Sequence, residues 1–151
     1  MLERPEYGWS RVTIGDWSDR CGYLDDVPFL LLEALEQICR TTKPSAVRLD
    51  AEGWEYLIVF NLCETHIITE TDDGYALHTV ESTPDKLAQE LVSDIKENLC
   101  QWAEWPDYGD MSDDEKEERA KDLSVLCGIV EQRLASWPFI HKAISNKDTE
   151  V

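Results

Sequence analysis

Three histidines, five cysteines and 32 acidic side chains define the chemistry open to this chain of 151 residues. His66 and His78 fall in two β-rich runs on either side of Asp72-Asp73-Gly74. A hairpin there would bring the two imidazoles together in one of its registers. With Glu64 or Glu70 they would make a partial metal site, since zinc takes imidazole nitrogen and carboxylate oxygen. The competing reading is a pair of half-exposed strand residues, because the spacing fixes no third ligand. His141 follows a helical pattern and is expected to face solvent. Cys21, Cys39, Cys63, Cys100 and Cys127 contain no C-x-x-C pair and are odd in number, so neither a disulfide framework nor a zinc knuckle is indicated. They read as reduced thiols, and Cys39, Cys100 and Cys127 lie in helical patterns where a small buried hydrophobe is expected.

Other catalytic signatures are missing from the sequence: no G-x-S-x-G, H-E-x-x-H, Walker loop or G-x-G-x-x-G. Adjacent carboxylates such as Asp25-Asp26 and Asp72-Asp73 are expected by number alone, and they suit a helix cap and a turn. The run from Asp107 to Glu115 lacks the acid spacing, central glycine and terminal glutamate of a calcium loop. The expectation is a non-enzyme with no catalytic residue, no metal and no cofactor. A carboxylate enzyme using a divalent metal stays open as an alternative.

Against 32 acids stand 14 Lys and Arg, a formal net charge of -18 and a pI near 4.3. Phosphate backbones and anionic membranes need local positive charge, so neither nucleic acid nor membrane is expected as a partner. A basic protein is. The charge is uneven: residues 106–122 hold 8 acids and 3 bases, whereas residues 123–151 hold 3 of each. This densest stretch follows Trp102-Ala-Glu-Trp105-Pro106, which interleaves aromatic and acidic groups as protein interfaces do. Trp105, Asp107, Tyr108, Asp110, Asp113 and Asp114 are therefore candidate partner contacts. The bland alternative puts Trp102 and Trp105 in the core and Asp113, Asp114 and Glu115 in a first helical turn, where acids favour the dipole. A second candidate patch is Glu52 and Trp54, with Asp50 and Glu55.

The elements that would position these residues follow from periodicity. Arg11–Ile14 reads as a strand ending at Gly15-Asp16, and Val27-Pro28 opens a helix with an apolar face from Phe29 to Cys39. Strands are expected at 46–50, 54–62, 64–71 and 75–80, with WEYLIVFNL, apolar on both faces, at the centre of the sheet. Thr83-Pro84-Asp85 starts a second helix whose stripe is Leu87, Leu91, Ile95, Leu99 and Trp102. Ser112–Glu115 is a capping box for a third, with Leu123, Leu126, Cys127, Val130 and Leu134 buried and its end near Trp137-Pro138. The fold class is α+β: an antiparallel sheet of four to five strands packed against three helices in two layers. One domain over 1–144 is expected, with a frayed tail at 145–151. A chain of this length buries about 70% of its unfolded surface, enough for one core. No apolar run approaches the ~20 residues of a membrane span. The first ten residues lack a secretory signal, which points to the cytosol.

The order Ile14-Gly-Asp-Trp-Ser18, Tyr23-Leu-Asp-Asp-Val27, Leu31-Leu-Glu-Ala-Leu35 and Trp54-Glu-Tyr-Leu-Ile58 resembles small acidic bacterial immunity proteins of polymorphic or contact-dependent toxin systems. The resemblance covers residues 10–105 and carries over no functional residue; the acidic third helix lies outside it. It implies a single α+β domain that blocks a cognate toxin, for instance a nuclease whose positive cleft an acidic surface would fill. Alternatives are a phage or mobile-element DNA mimic, and an adaptor whose acidity only keeps it soluble. Partner identity and oligomeric state are left open by the sequence.

Overall fold

A computed structural model describes residues 1–107 and 109–137. The expectations for Tyr108, Pro138, His141 and the tail fall outside the described residues. Ten elements follow one another: β1 (Trp9–Ile14), β2 (Trp17–Gly22), α1 (Val27–Thr41), β3 (Ser45–Asp50), β4 (Glu55–Phe60), β5 (Glu64–Thr71), β6 (Gly74–Glu81), α2 (Pro84–Glu97), α3 (Leu99–Ala103) and α4 (Asp113–Ser136). The α+β class holds. Four strands form an antiparallel meander in the order β3-β4-β5-β6, and β1 pairs with β2 in a separate hairpin, with Leu2 bridged to Val12 on its other edge. The sequence predicts one strand before α1; β2 departs from that expectation because WSDRCG carries no apolar alternation.

The inner face of the meander is built from alternate residues, Val47, Leu49, Tyr56, Ile58, Phe60, Ile67 and Val80, all buried. Helix α1 covers its β3–β4 side, and α2 and α4 pack on α1. The apolar face of α1 runs through Leu31, Leu32, Leu35 and Ile38, each 0% exposed. The β1–β2 hairpin closes the other part of the core: Tyr56 Oη donates to the Arg20 carbonyl at 2.9 Å, and the Trp17 ring meets Tyr56 edge-on at 5.2 Å. Its tip turns at Gly15, whose φ of +58° few other residues adopt. A Cβ there would lie 2.4 Å from Val80 Cγ1.

Two helix boundaries differ from expectation. The long stripe is split at Asn98, which leaves helical geometry at φ -123°, ψ 36° and donates through Nδ2 to the Asp94 carbonyl at 3.2 Å. An asparagine amide competes in this way with the backbone ladder. Leu87, Leu91, Ile95 and Trp102 are buried nonetheless, but Cys100 is exposed, contrary to its expected burial. At the start of α1, Asp26 occupies the cap position without a side-chain cap bond. Its carboxylate instead receives both Arg119 terminal nitrogens, at 2.8 and 2.6 Å, joining α1 to α4. The predicted capping box of α4 is present: Ser112 Oγ accepts from the Glu115 amide, and Glu115 Oε2 accepts from the Ser112 amide. Leu123, Cys127 and Val130 are buried, while Leu126 and Leu134 pack half-buried at the margin.

Candidate interaction surface

The strand register settles the histidines. His66 stands opposite Thr79, and His78 opposite Ile67. Side chains alternate faces along a strand, so this odd offset sends the two imidazoles to opposite sides of the sheet. They do not come together as the metal pair that one hairpin register would allow. His66 lies on the outer face, 3.0 Å from Thr79 Oγ1 and 3.1 Å from Glu64 Oε1. His78 lies on the inner side, 3.0 Å from Asp16 Oδ1 at the hairpin tip, and this hydrogen bond lowers the Asp16 pKa. Among the described residues no group of three His, Cys, Asp or Glu side chains is arranged to hold a metal ion. Burial pushes the Cys21 and Cys39 thiols up to about 12 and the Cys127 thiol to about 11, away from nucleophilic range.

The candidate contacts of the acidic segment divide between structure and surface. Trp105 is only 4% exposed, tilted against Trp102 at 5.0 Å, and its Nε1 donates to the Asp25 carbonyl at 2.8 Å. It is no exposed anchor. Its polar edge found an acceptor 80 residues away, which no local pattern reveals. Asp107 Oδ1 accepts from the Gly109 and Met111 amides at 2.8 and 3.1 Å, and Oδ2 meets Lys116 Nζ at 3.0 Å. The Met111 amide, then Lys116, hold its pKa down to about 2. Asp110, Asp113 and Asp114 are exposed. Trp105, Asp107 and Glu104 form one side of a cavity of about 400 Å³, and Tyr7, Gly8 and Tyr23 form the other.

The second patch is organised by a cation that sequence reading did not single out. The Arg20 guanidinium lies between two indoles, 4.9 Å from the Trp9 ring and 4.4 Å from the Trp54 ring. It also donates to the Ala51 and Glu52 carbonyls at 3.0 and 3.3 Å. Trp54 Nε1 donates to Asp19 Oδ2 at 2.8 Å, and the residue remains 36% exposed. Glu52, at φ +54°, shapes the β3–β4 turn. An open groove bounded by Gly53, Trp54, Glu70 and Asp72 joins this turn to the β5–β6 tip. Asp25 links the two patches, since its carbonyl receives Trp105 and its carboxylate receives the Asp50 amide at 2.6 Å.

The outer face of the meander is a further surface, of which the sequence-predicted contacts include only Asp50 and Glu55 at one end. Register aligns Arg48, Leu57, Ile68 and Leu77 in one row across all four strands. Ala46, Val59, His66 and Thr79 make the next row. Leu77 is 66% and Tyr75 78% exposed, while Leu57, Val59 and Ile68 are half-buried. Glu55, Glu64, Glu70 and Glu81 occupy the ends of the same face, with Asp72 and Asp73 at the tip. Arg48 is already paired with Glu55 at 3.1 Å. The apolar second face of β4 was legible, but sequence alone could not say that nothing in the described chain covers it. No helix of the described residues is long and apolar enough to cross a membrane. No protein-family model, curated protein or solved structure matches this chain.

Proposed function

We propose that this chain is a non-enzymatic binding protein of the immunity type, which neutralises a basic protein such as a toxic nuclease through the outer face of its four-stranded sheet. The observation that carries the reading is the row Leu57-Ile68-Leu77, extended by Tyr75 and bounded by glutamates. An apolar centre inside a ring of one charge sign matches the anatomy of a protein interface, with anchors that slow dissociation and charges that steer encounter. Strands of six to eight residues, four abreast, give a face of roughly 20 by 20 Å. A standard interface of about 800 Å² per partner would cover it together with the Trp54 turn and the β5–β6 tip. The face favours a cationic partner because its one arginine is paired and its other charges are acids. Toxin neutralisation, as opposed to any other basic partner, rests on the resemblance of residues 10–105.

The test is affinity capture from the native cell with the wild-type chain and with Ile68→Lys/Leu77→Lys. The variant should keep the far-ultraviolet spectrum, since Leu77 is exposed and Ile68 half-buried. A basic protein held by the wild type at low salt, released at high salt and lost by the variant is the expected result. Capture that ignores both salt and the two lysines would remove the outer face as the site. Identification of the captured protein as a DNA-binding factor instead of a toxin would favour the DNA-mimic reading.

A further inference from the structure

The cavity between the N-terminal turn and α3 lies apart from the outer sheet face and has a chemistry of its own. Tyr7 and Tyr23 supply aromatic surface, with little from the buried Trp105, and Glu104 and Asp107 supply carboxylates. We propose that it binds an organic cation, an ammonium or guanidinium group, by aromatic and carboxylate contacts combined.

Three observations point this way. The Tyr7-Gly8 turn is closed by Glu6 and Trp9, which exchange both backbone hydrogen bonds at 2.9 Å, and both central residues have positive φ, +50° and +79°. Such turns favour asparagine, aspartate or glycine in place of tyrosine. Tyr7 is nevertheless 99% exposed, so no packing explains a bulky ring held in a disfavoured conformation at the cavity rim. A strained residue of this kind, kept without a structural return, is a pointer to ligand contact. Gly8 fits flat on the Tyr23 ring, since a Cβ there would stand 2.6 Å from Tyr23 Cδ1. The turn is thereby seated on Tyr23. Finally, Asp107 stays charged at ordinary pH but is occupied by two amides and Lys116, which leaves Glu104 as the main carboxylate for a ligand. One free carboxylate falls short of the several protein oxygens that a calcium site uses. Two tyrosine rings with one carboxylate suit an organic cation, which is attracted to ring faces. The cavity, at about 400 Å³, is of ligand-site size.

The experiment is an amide-resolved NMR titration of the whole chain with four probes: end-blocked lysine amide, end-blocked arginine amide, tetramethylammonium and the neutral end-blocked norleucine amide. The expected result is saturable shifts at Gly8 and Gln101 for the cations, with norleucine at least about tenfold weaker. The blocked amino acids stand for a partner's side chain and tetramethylammonium for a free small amine, so the tighter probe identifies the source. Tyr7→Asn, which suits the turn, should weaken cation binding about tenfold without loss of fold, and Glu104→Gln should weaken it further. Equal binding of norleucine, or no shift with any cation at tens of millimolar, would overturn the proposal. Ile68→Lys/Leu77→Lys should leave these titrations unchanged, so this site and the outer face succeed or fail separately.

Discussion

Gly15→Ala tests how the β1–β2 hairpin is seated on the core. The new methyl group would lie 2.4 Å from Val80 Cγ1, more than about 1 Å inside the ~3.5–4.0 Å carbon contact distance. Val80 is 7% exposed and β-branched, so it has little freedom to rotate away. Overpacking of this kind costs about 1–3 kcal/mol, and holding alanine at φ +58° adds about 1–2 kcal/mol. The variant should therefore lose roughly 2–5 kcal/mol, a large part of the ~5–15 kcal/mol typical of a domain. Urea unfolding followed by tryptophan fluorescence and circular dichroism measures this directly. Val80→Ala, which removes the clashing methyl, should cost about 1–2.5 kcal/mol alone. In the double variant the clash disappears, so the two costs should fall short of additivity by about 1–3 kcal/mol. A Gly15→Ala protein within about 0.5 kcal/mol of wild type, or strict additivity, would refute the described seating.

Further outcomes follow from other contacts. Asp107 has a pKa depressed from 3.8 to about 2, so its loop tether is intact above the unfolded value and loosens as pH falls through the folded one. The Gly109 and Met111 amide resonances should titrate near pH 2; a midpoint near 3.8 would contradict the tether. Leu123→Ala, at a position 0% exposed under α4, should cost about 2–5 kcal/mol in the same urea assay, and half-buried Leu126→Ala distinctly less. Iodoacetamide should label Cys63 and Cys100 in the native protein and spare Cys21, Cys39 and Cys127 until unfolding, as mass spectrometry of the peptides will show.

The α1 face, the α2 stripe, the α4 capping box and the four meander strands were legible because each is a local period of apolar residues or a local hydrogen-bonding motif. What escaped was decided across the chain. Strand β2 has polar residues whose partners include Trp54 and Tyr56, more than 30 residues distant in sequence. The histidine pair depended on a one-residue register, which only the assembled hairpin fixes. Trp105 and Asp107 stand close in sequence as an aromatic-acidic pair, yet the Asp25 carbonyl and Lys116 give them structural partners within the fold. The outer face was hidden for the opposite reason, because an apolar second face on β4 reads as the mark of a strand covered on both sides.

Strand β6 closes the meander with one backbone edge that no other strand of the described residues pairs. Its sequence GYALHTVE has neither the lysine nor the proline that commonly guards an edge. The guard is the charge of the whole molecule: two copies at -18 repel before their edges can meet. Near pH 4.3, or in concentrated salt, that repulsion vanishes and β6 becomes a template for head-on growth of the sheet. The same acidity thus also sets the conditions under which the protein can be stored, concentrated or crystallised without fibre formation.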